Sequence, residues 1–153
     1  MFKLTISVLL CQSAGLVGSF FTRTSVDIWY KILEKPFFTP PSWVFAPVWI
    51  ILYFLMGISA FLIWDIGLDQ PQTRSALDVF LLQLIINSSW SMVFFGMQNL
   101  LLSVIVIMLL WIAILWTMVK FYKISKTAAV ILIPYFCWVS FAMILNIMFL
   151  MLN

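Results

Sequence analysis

The sequence predicts an all-α integral membrane protein, built as a bundle of five transmembrane helices. Hydrophobic residues make up 65% of its 153 residues, the mean hydropathy is +1.18, and charged residues account for only 8%. A soluble domain carries about 25% charged residues. Because so few charges cannot cover the surface of a water-soluble protein of this length, we expect a multi-pass protein surrounded by the lipid bilayer.

Charge-free runs define the spans, since about 20 apolar residues cross a bilayer as a helix. Within a single domain of residues 1–153, they predict spans at approximately 4–21, 43–64, 76–96, 99–120 and 127–151. The run from Val79 to Val119 has 41 residues without a charge, so it must fold back once. We expect the turn at 96–99, where a glycine precedes polar residues. The runs lack period-2 alternation, which disfavours a β-barrel.

The first span could be mistaken for a secretory signal peptide, but we expect a retained helix. Its only basic residue before Arg23 is Lys3, and no small-residue cleavage pattern precedes Arg23. With five spans, five basic residues lie on the side of the N-terminus and three on the other side. This excess predicts a cytoplasmic N-terminus and an external C-terminus.

The first connection, residues 22–42, is about 20 residues long, and loops of that length tend to be functional. Val26, Trp29, Tyr30 and Leu33 recur in it at helical spacing. This spacing predicts a short amphipathic helix that lies along the membrane surface.

The stretch KPFFTPPSWVFAPVW, residues 35–49, places four prolines among aromatic residues. Residues 36–41 cannot be helical, because proline fixes φ and lacks an amide donor. The second span is expected to begin near Ser42 as its N-cap. The stretch is predicted to be a stiff lid over the mouth of the bundle, and the alternative is a simple interfacial anchor. The aromatic underside of the lid would consist of Phe37, Phe38, Trp43 and Phe45.

Four of the five spans carry one stripe that mixes polar or small residues with aromatic rings. The stripes are Gln12, Gly15 and Ser19; Trp49, Tyr53 and Met56; Gln83, Asn87 and Trp90; and Trp138, Ala142 and Asn146, just after a kink expected at Pro134. Amides are costly in hydrocarbon unless they face the protein interior, so the stripes predict a cavity for a flat apolar ligand. The alternative is that the amides only join helices to one another. The fourth span has only Ser103 and Thr117, and is expected to face lipid or a second subunit.

Several classes of chemistry are disfavoured by composition. The chain has no histidine, so it offers no imidazole base and no histidine ligand for zinc or haem, and we expect no metal site. Cys11 and Cys137 lie alone in apolar runs and predict no disulfide framework. The net charge of +3 comes from scattered residues, which do not form a stripe for nucleic acid.

Three stretches carry a specific resemblance. They are WYKILEKPFFTPPSWVFAPVWIILYFLMG, INSSWSMVFFG and LIPYFCWVSFAMILN. Together with the five spans they resemble the translocator protein family (TspO/MBR, the peripheral benzodiazepine receptor family) over nearly the whole chain. The chain is similar to a bacterial-type member, which implies a bacterial cell membrane.

The resemblance implies a homodimeric five-helix bundle that binds porphyrins, with protoporphyrin IX or haem as ligand and no required cofactor. It is compatible with binding of related flat hydrophobic molecules. The implied ligand-binding residues, together with those from the stripes and the lid, are Phe38, Pro40, Pro41, Trp43, Trp49, Tyr53, Asn87, Trp90, Trp138, Ala142 and Asn146. Phe38 stands where the family usually has tryptophan. Residues 147–153 lack the tyrosine and arginine of the animal sterol motif.

Two functions follow as hypotheses. The first is a membrane receptor or transporter-like protein that binds tetrapyrroles under the first loop, in tetrapyrrole handling or stress signalling. The alternative is an enzyme that degrades porphyrin with light and oxygen, with Trp49 and Trp138 as candidate catalytic residues. At ~1.5 Å per helical residue we expect Trp49 about 9 Å and Trp138 about 20 Å below the mouth.

Overall fold

The structure is a computed structural model that describes the backbone of residues 1–153 and every side chain except that of Thr24. Its helices are α1 (Phe2–Ser25), α2 (Trp29–Ile32), α3 (Ser42–Ile66), α4 (Pro71–Ser91), α5 (Leu100–Ile124), α6 (Lys126–Ile131) and α7 (Ile133–Leu152). A π-helical turn, Met92–Gly96, extends α4. The described chain contains no β-strand.

Five segments are long and apolar enough to cross a membrane, which confirms the predicted five-span, all-α fold. They are Phe2–Arg23, Ser42–Ile66, Pro71–Gly96, Leu100–Ile124 and Lys126–Leu152. Most extend a few residues past the predicted bounds, because a helix can continue into the interfacial region once its charged residues reach the membrane edge. The first connection is accordingly reduced from 22–42 to 26–41, with α2 inside it.

Proline residues mark several helix boundaries. Pro41 is the N-cap of α3, so the prediction of Ser42 as N-cap is wrong by one position. Pro71 and Pro134 stand in the first positions of α4 and α7, where the missing amide donor costs nothing. The fifth span breaks at Leu132, between α6 and α7, which confirms the kink expected at Pro134.

The turn between α4 and α5 lies where the sequence predicted it. Gln98 has a positive φ of 53°, and the side chain of Asn99 caps α5 by accepting a hydrogen bond from the Leu102 amide at 2.9 Å. Chain reversal after Gly96 therefore depends on a left-handed residue followed by an N-cap.

The packing of the bundle places the chain termini at opposite ends, as predicted. At one end the ammonium of Lys3 lies 3.4 Å from the carboxylate of Asp65. At the other end the Asn153 side chain accepts from the Glu34 amide at 2.9 Å and donates to its carbonyl at 3.0 Å. We call this pair of hydrogen bonds the Asn153 clasp, and its side of the bundle the loop end.

The helix α5 packs against α4 and α7. Its residues Ser103 and Thr117 are buried rather than exposed to lipid. The opposite face of α5 is exposed and apolar, and it includes Leu101, Ile105, Met108 and Ile112. Contact of this outer face with lipid or a second subunit stays a prediction.

Candidate ligand-binding site

A cavity of about 620 Å³ opens inside the bundle at the loop end, and we call it the bundle cavity. Its walls come from α1, α3, α4, the π turn and α7. Seven of the predicted binding residues line it: Trp43, Trp49, Tyr53, Trp90, Trp138, Ala142 and Asn146. The small and polar stripe of α1 (Gln12, Gly15, Ser19) lies on the same wall. The structure thus brings residues from four predicted stripes together around one space.

Ten aromatic rings line the wall, and several of them pack in pairs. Trp49 stacks on Tyr53 with ring centroids 5.4 Å apart and an angle of 28°. Trp90 stacks on Phe94 at 5.2 Å and 21°. Paired rings support one another, so their apolar faces can border an open space without collapsing into it.

Two hydrogen-bond networks fix these rings from behind. In the first, the Trp90 indole donates to the side-chain oxygen of Asn146 at 2.8 Å, and the amide nitrogen of Asn146 donates to the Ser103 hydroxyl at 2.9 Å. Because both amide atoms of Asn146 have partners, Trp90 is held in one orientation. Asn146 therefore lines the cavity and also joins α4, α5 and α7.

The second network lies below Tyr53 and joins three helices. The Tyr53 hydroxyl donates to the Asn87 side-chain oxygen, and the Asn87 amide donates to the Tyr135 hydroxyl at 2.8 Å. Tyr135 in turn donates to the side-chain oxygen of Gln83 at 2.7 Å. Asn87 and Gln83 are buried and lie outside the cavity wall. These two amides therefore join helices, as in the alternative interpretation, and do not line the cavity.

Four predicted residues, Phe38, Pro40, Pro41 and Asn87, are absent from the cavity wall among the described side chains. Phe38 packs edge-on against Phe141 at 6.3 Å. Pro40 and Pro41 border a smaller pocket within the first connection. Phe37 is fully exposed, so the prediction that it faces the underside of the lid is wrong.

The predicted order, with Trp138 deeper in the bundle than Trp49, is also wrong. Trp138 contacts Phe45, near the start of α3, with centroids 5.9 Å apart, whereas Trp49 contacts Tyr135 at 6.3 Å. Trp138 therefore lies at least as close to the mouth as Trp49 does. The prediction measured both depths from the helix ends, but α7 extends well past the start of α3, and the first connection packs along that extension.

Sequence reasoning missed a group of apolar wall residues: Phe94, Phe95, Leu145 and Phe149. The first two lie in the π turn, whose wider spacing lets consecutive rings border the same space. Their only signal in the sequence is the aromatic pair directly before Gly96. Leu145 and Phe149 lie on the same face of α7 as Ala142 and Asn146, one turn further along.

The first connection covers the cavity through aromatic contacts. Trp29 packs on Phe94 at 5.3 Å, and Tyr30 packs on Phe149 at 5.7 Å. The Ser25 hydroxyl donates to the Phe95 carbonyl at 2.6 Å, which fixes the end of α1 to the π turn. Together with the Asn153 clasp, these contacts hold the connection against α4 and α7.

Comparison with known proteins decides the family. The model of the TspO/MBR family matches residues 7–152, which include the first connection, most of the first span and the other four spans in full. The chain belongs to the TspO/MBR family. This TspO/MBR protein is 44% identical over 151 residues to the tryptophan-rich protein TspO of Archaeoglobus fulgidus, covering 99% of this chain and 97% of that one.

More distant relatives extend the family likeness. The translocator protein of Homo sapiens is 35% identical over 139 residues, covering 90% of this chain and 82% of the human one. The tryptophan-rich sensory protein of Cereibacter sphaeroides is 35% identical over 127 residues, covering 83% and 78%. Family and fold together support an integral, multi-pass membrane protein with a receptor or sensor role.

Proposed function

We propose that this TspO/MBR protein binds porphyrins and related flat apolar molecules in the bundle cavity, as a membrane receptor in tetrapyrrole handling or stress signalling. The observation that carries the proposal is a cavity of about 620 Å³ walled by the rings of Trp49, Tyr53, Trp90 and Trp138. Ligand pockets are typically about 300–1,000 Å³, mostly apolar, with a few placed polar groups. Asn146 and the small stripe of α1 supply such polar groups here.

The wall chemistry suits a macrocycle better than a compact polar ligand. Each ring in contact with a flat ligand contributes of order 1 kcal/mol beyond area burial. The sequence contains no histidine, so haem would lack its usual proximal ligand, and metal-free protoporphyrin IX is expected to bind about as well as haem.

The test is a titration of purified protein with protoporphyrin IX in darkness, followed by tryptophan fluorescence and porphyrin absorbance. We expect Trp49→Ala and Trp138→Ala each to weaken binding by about fivefold, as loss of one ring contact predicts. Trp116→Ala is the matched control, because Trp116 is an exposed ring on α5 outside the cavity wall. Equal loss of affinity in all three variants, or in none, would place the porphyrin somewhere other than the bundle cavity.

A second candidate function is degradation of the bound porphyrin with light and oxygen. It is favoured by the position of Trp49 and Trp138, two oxidisable rings on the wall of one cavity. In this hypothesis Trp138→Phe keeps binding in darkness but abolishes the light-driven loss of porphyrin absorbance. If bleaching proceeds equally fast in wild type, in the Phe variant and in protein-free detergent, the protein is a binder and not an enzyme.

A further inference from the structure

A second, smaller pocket of about 360 Å³ lies within the first connection, and we call it the loop pocket. Its lining includes Asp27, Tyr30, Lys31, Lys35, Thr39 and Pro40. Val26, Asp27, Tyr30 and Ser42 line the loop pocket and the bundle cavity alike. The two spaces are therefore neighbours that share one wall.

The loop pocket differs from the bundle cavity in its charge. Asp27 is already paired, since its carboxylate lies 3.1 Å from the Lys31 ammonium. Lys35 has no carboxylate partner among the described side chains, and its ammonium lies 4.9 Å from the centre of the Tyr30 ring. Among the described groups, its nitrogen donates one long hydrogen bond, of 3.4 Å, to the Lys31 carbonyl. An unpaired cation therefore stands beside the shared wall.

The charged residues that border the bundle cavity and the loop pocket are mostly basic. Arg23 lines the bundle cavity, so three basic residues and one acidic residue border the two spaces. Glu34 lies next to Lys35 in the chain, but its backbone is held in the Asn153 clasp and it is outside both linings among the described residues. The mouth of an apolar cavity thus carries a local excess of positive charge.

The shared wall also contains a polar group that lacks a partner. The Tyr30 hydroxyl is buried and makes no hydrogen bond to any described residue. Burying a hydroxyl without a partner is costly, so such groups mark places where a further acceptor is missing. The Tyr30 ring borders both spaces, whereas its hydroxyl has no accessible surface towards either of them.

We propose that the loop pocket binds a carboxylate of the ligand whose apolar body occupies the bundle cavity, with Lys35 as its counter-ion. The inference rests on the proposed function and deepens it. It specifies the ligand class as a flat apolar body with an ionised carboxylate arm, bound with the arm towards the first connection. Lys35 is exposed, so a salt-sensitive contribution is expected rather than a large one.

The experiment compares protoporphyrin IX with its dimethyl ester, which has the same macrocycle without the two carboxylates. Both are titrated in darkness in one neutral detergent, and partition into empty micelles is measured in parallel. The variants are Lys35→Gln, Lys35→Arg and the control Lys123→Gln, an exposed lysine outside the loop pocket.

We expect the wild type to bind the free acid about fivefold more tightly than the ester, and Lys35→Gln to remove most of that difference by weakening the acid alone. Lys35→Arg should retain the preference, Lys123→Gln should behave as wild type, and added salt should weaken only the acid. Equal binding of acid and ester, unchanged by Lys35→Gln, overturns this inference and leaves the proposed function standing. Failure of both porphyrins to bind overturns the two together.

Discussion

The two ends of the bundle both contain stacked aromatic rings, but one end is close-packed and the other contains a cavity. At the end away from the first connection, Phe80 stacks on Phe121 at 5.8 Å, and both rings belong to a buried cluster that includes Ile63 and Ala128. There the Ser59 hydroxyl donates directly to the Ala128 carbonyl at 2.7 Å, so two helix backbones approach closely. At the loop end the rings line a cavity of about 620 Å³ instead.

The difference shows that aromatic content alone does not fill a membrane bundle. Interhelical attraction in lipid comes from close packing and hydrogen bonds, because lipid tails are as apolar as the side chains. In the closed half the Ser59 hydroxyl reaches the Ala128 carbonyl directly, whereas in the loop half the stacked rings border a cavity. We call these the closed half and the open half below.

The largest difference in stability between the two halves is expected when one aromatic ring is removed from each. Phe80→Ala should lower the free energy of unfolding by about 3 kcal/mol, because it creates a cavity in close-packed surroundings. Trp49→Ala should cost about 1 kcal/mol, since its ring already borders a cavity and loses mainly its stack on Tyr53. Unfolding in mixed micelles measures both, and equal losses would contradict the division into two halves.

Replacing a glycine with alanine in each half should also destabilise the closed half more than the open half. A Cβ at Gly57 would lie 2.6 Å from the Cα of Val8, so Gly57→Ala must separate α1 from α3, at a cost of about 2 kcal/mol. A Cβ at Gly15 would lie 2.6 Å from a ring carbon of Tyr53, and that ring has open space beside it. Gly15→Ala should therefore cost less stability but weaken porphyrin binding. The reverse ranking in thermal stability would be inconsistent with an open half.

Removing one hydrogen-bonding group from each half should give a smaller difference in stability. Tyr135→Phe leaves the Asn87 amide and the Gln83 side-chain oxygen unpaired in a buried place, and should cost about 1–2 kcal/mol. Trp90→Phe frees only the Asn146 oxygen, next to a cavity in which water can replace the lost donor. We expect a cost of about half as much, measured by the same unfolding assay. A larger loss for Trp90→Phe would show that the cavity stays dry.

The smallest effect concerns pH. Burial raises the pKa of Tyr30 from 10.0 to about 12. Below pH 10 the phenol is neutral in the folded and unfolded chain, so it contributes nothing to pH dependence. Between pH 10 and 12 the unfolded chain ionises first, so the folded protein loses stability as the pH rises through this range. Tyr30→Phe should remove this part of the alkaline destabilisation, and tyrosinate absorbance should rise later in the wild type than in the unfolded chain.

The fold could be predicted from the sequence because charges and prolines act locally. A charge-free run of 41 residues can only cross the bilayer twice, and Gly96 with its polar neighbours is the one place for the reversal. Pro41, Pro71 and Pro134 mark helix starts for the same local reason.

The sequence predicted which helix faces line the candidate site, but it did not predict how deep each residue lies in the bundle. Helical spacing identified which side of α3 and α7 faces inward, and Trp49, Tyr53, Trp138 and Ala142 do line one cavity. The depth of α7 residues relative to α3 residues depends on how far α7 extends past the start of α3. The spacing of residues within one helix carries no information about that extension. The π turn with Phe94 and Phe95 was missed because it is selected by contacts such as the Ser25 hydrogen bond to Phe95, made across 70 residues of chain.

The Asn153 clasp has a kinetic consequence. It joins the first connection to the end of α7 through two hydrogen bonds, and neither Glu34 nor Asn153 belongs to the described wall of the bundle cavity. It is therefore expected to stabilise the empty and the occupied protein alike, and to be broken only while a ligand passes. The clasp should therefore slow both the association and the dissociation of a ligand. The dissociation constant should stay unchanged.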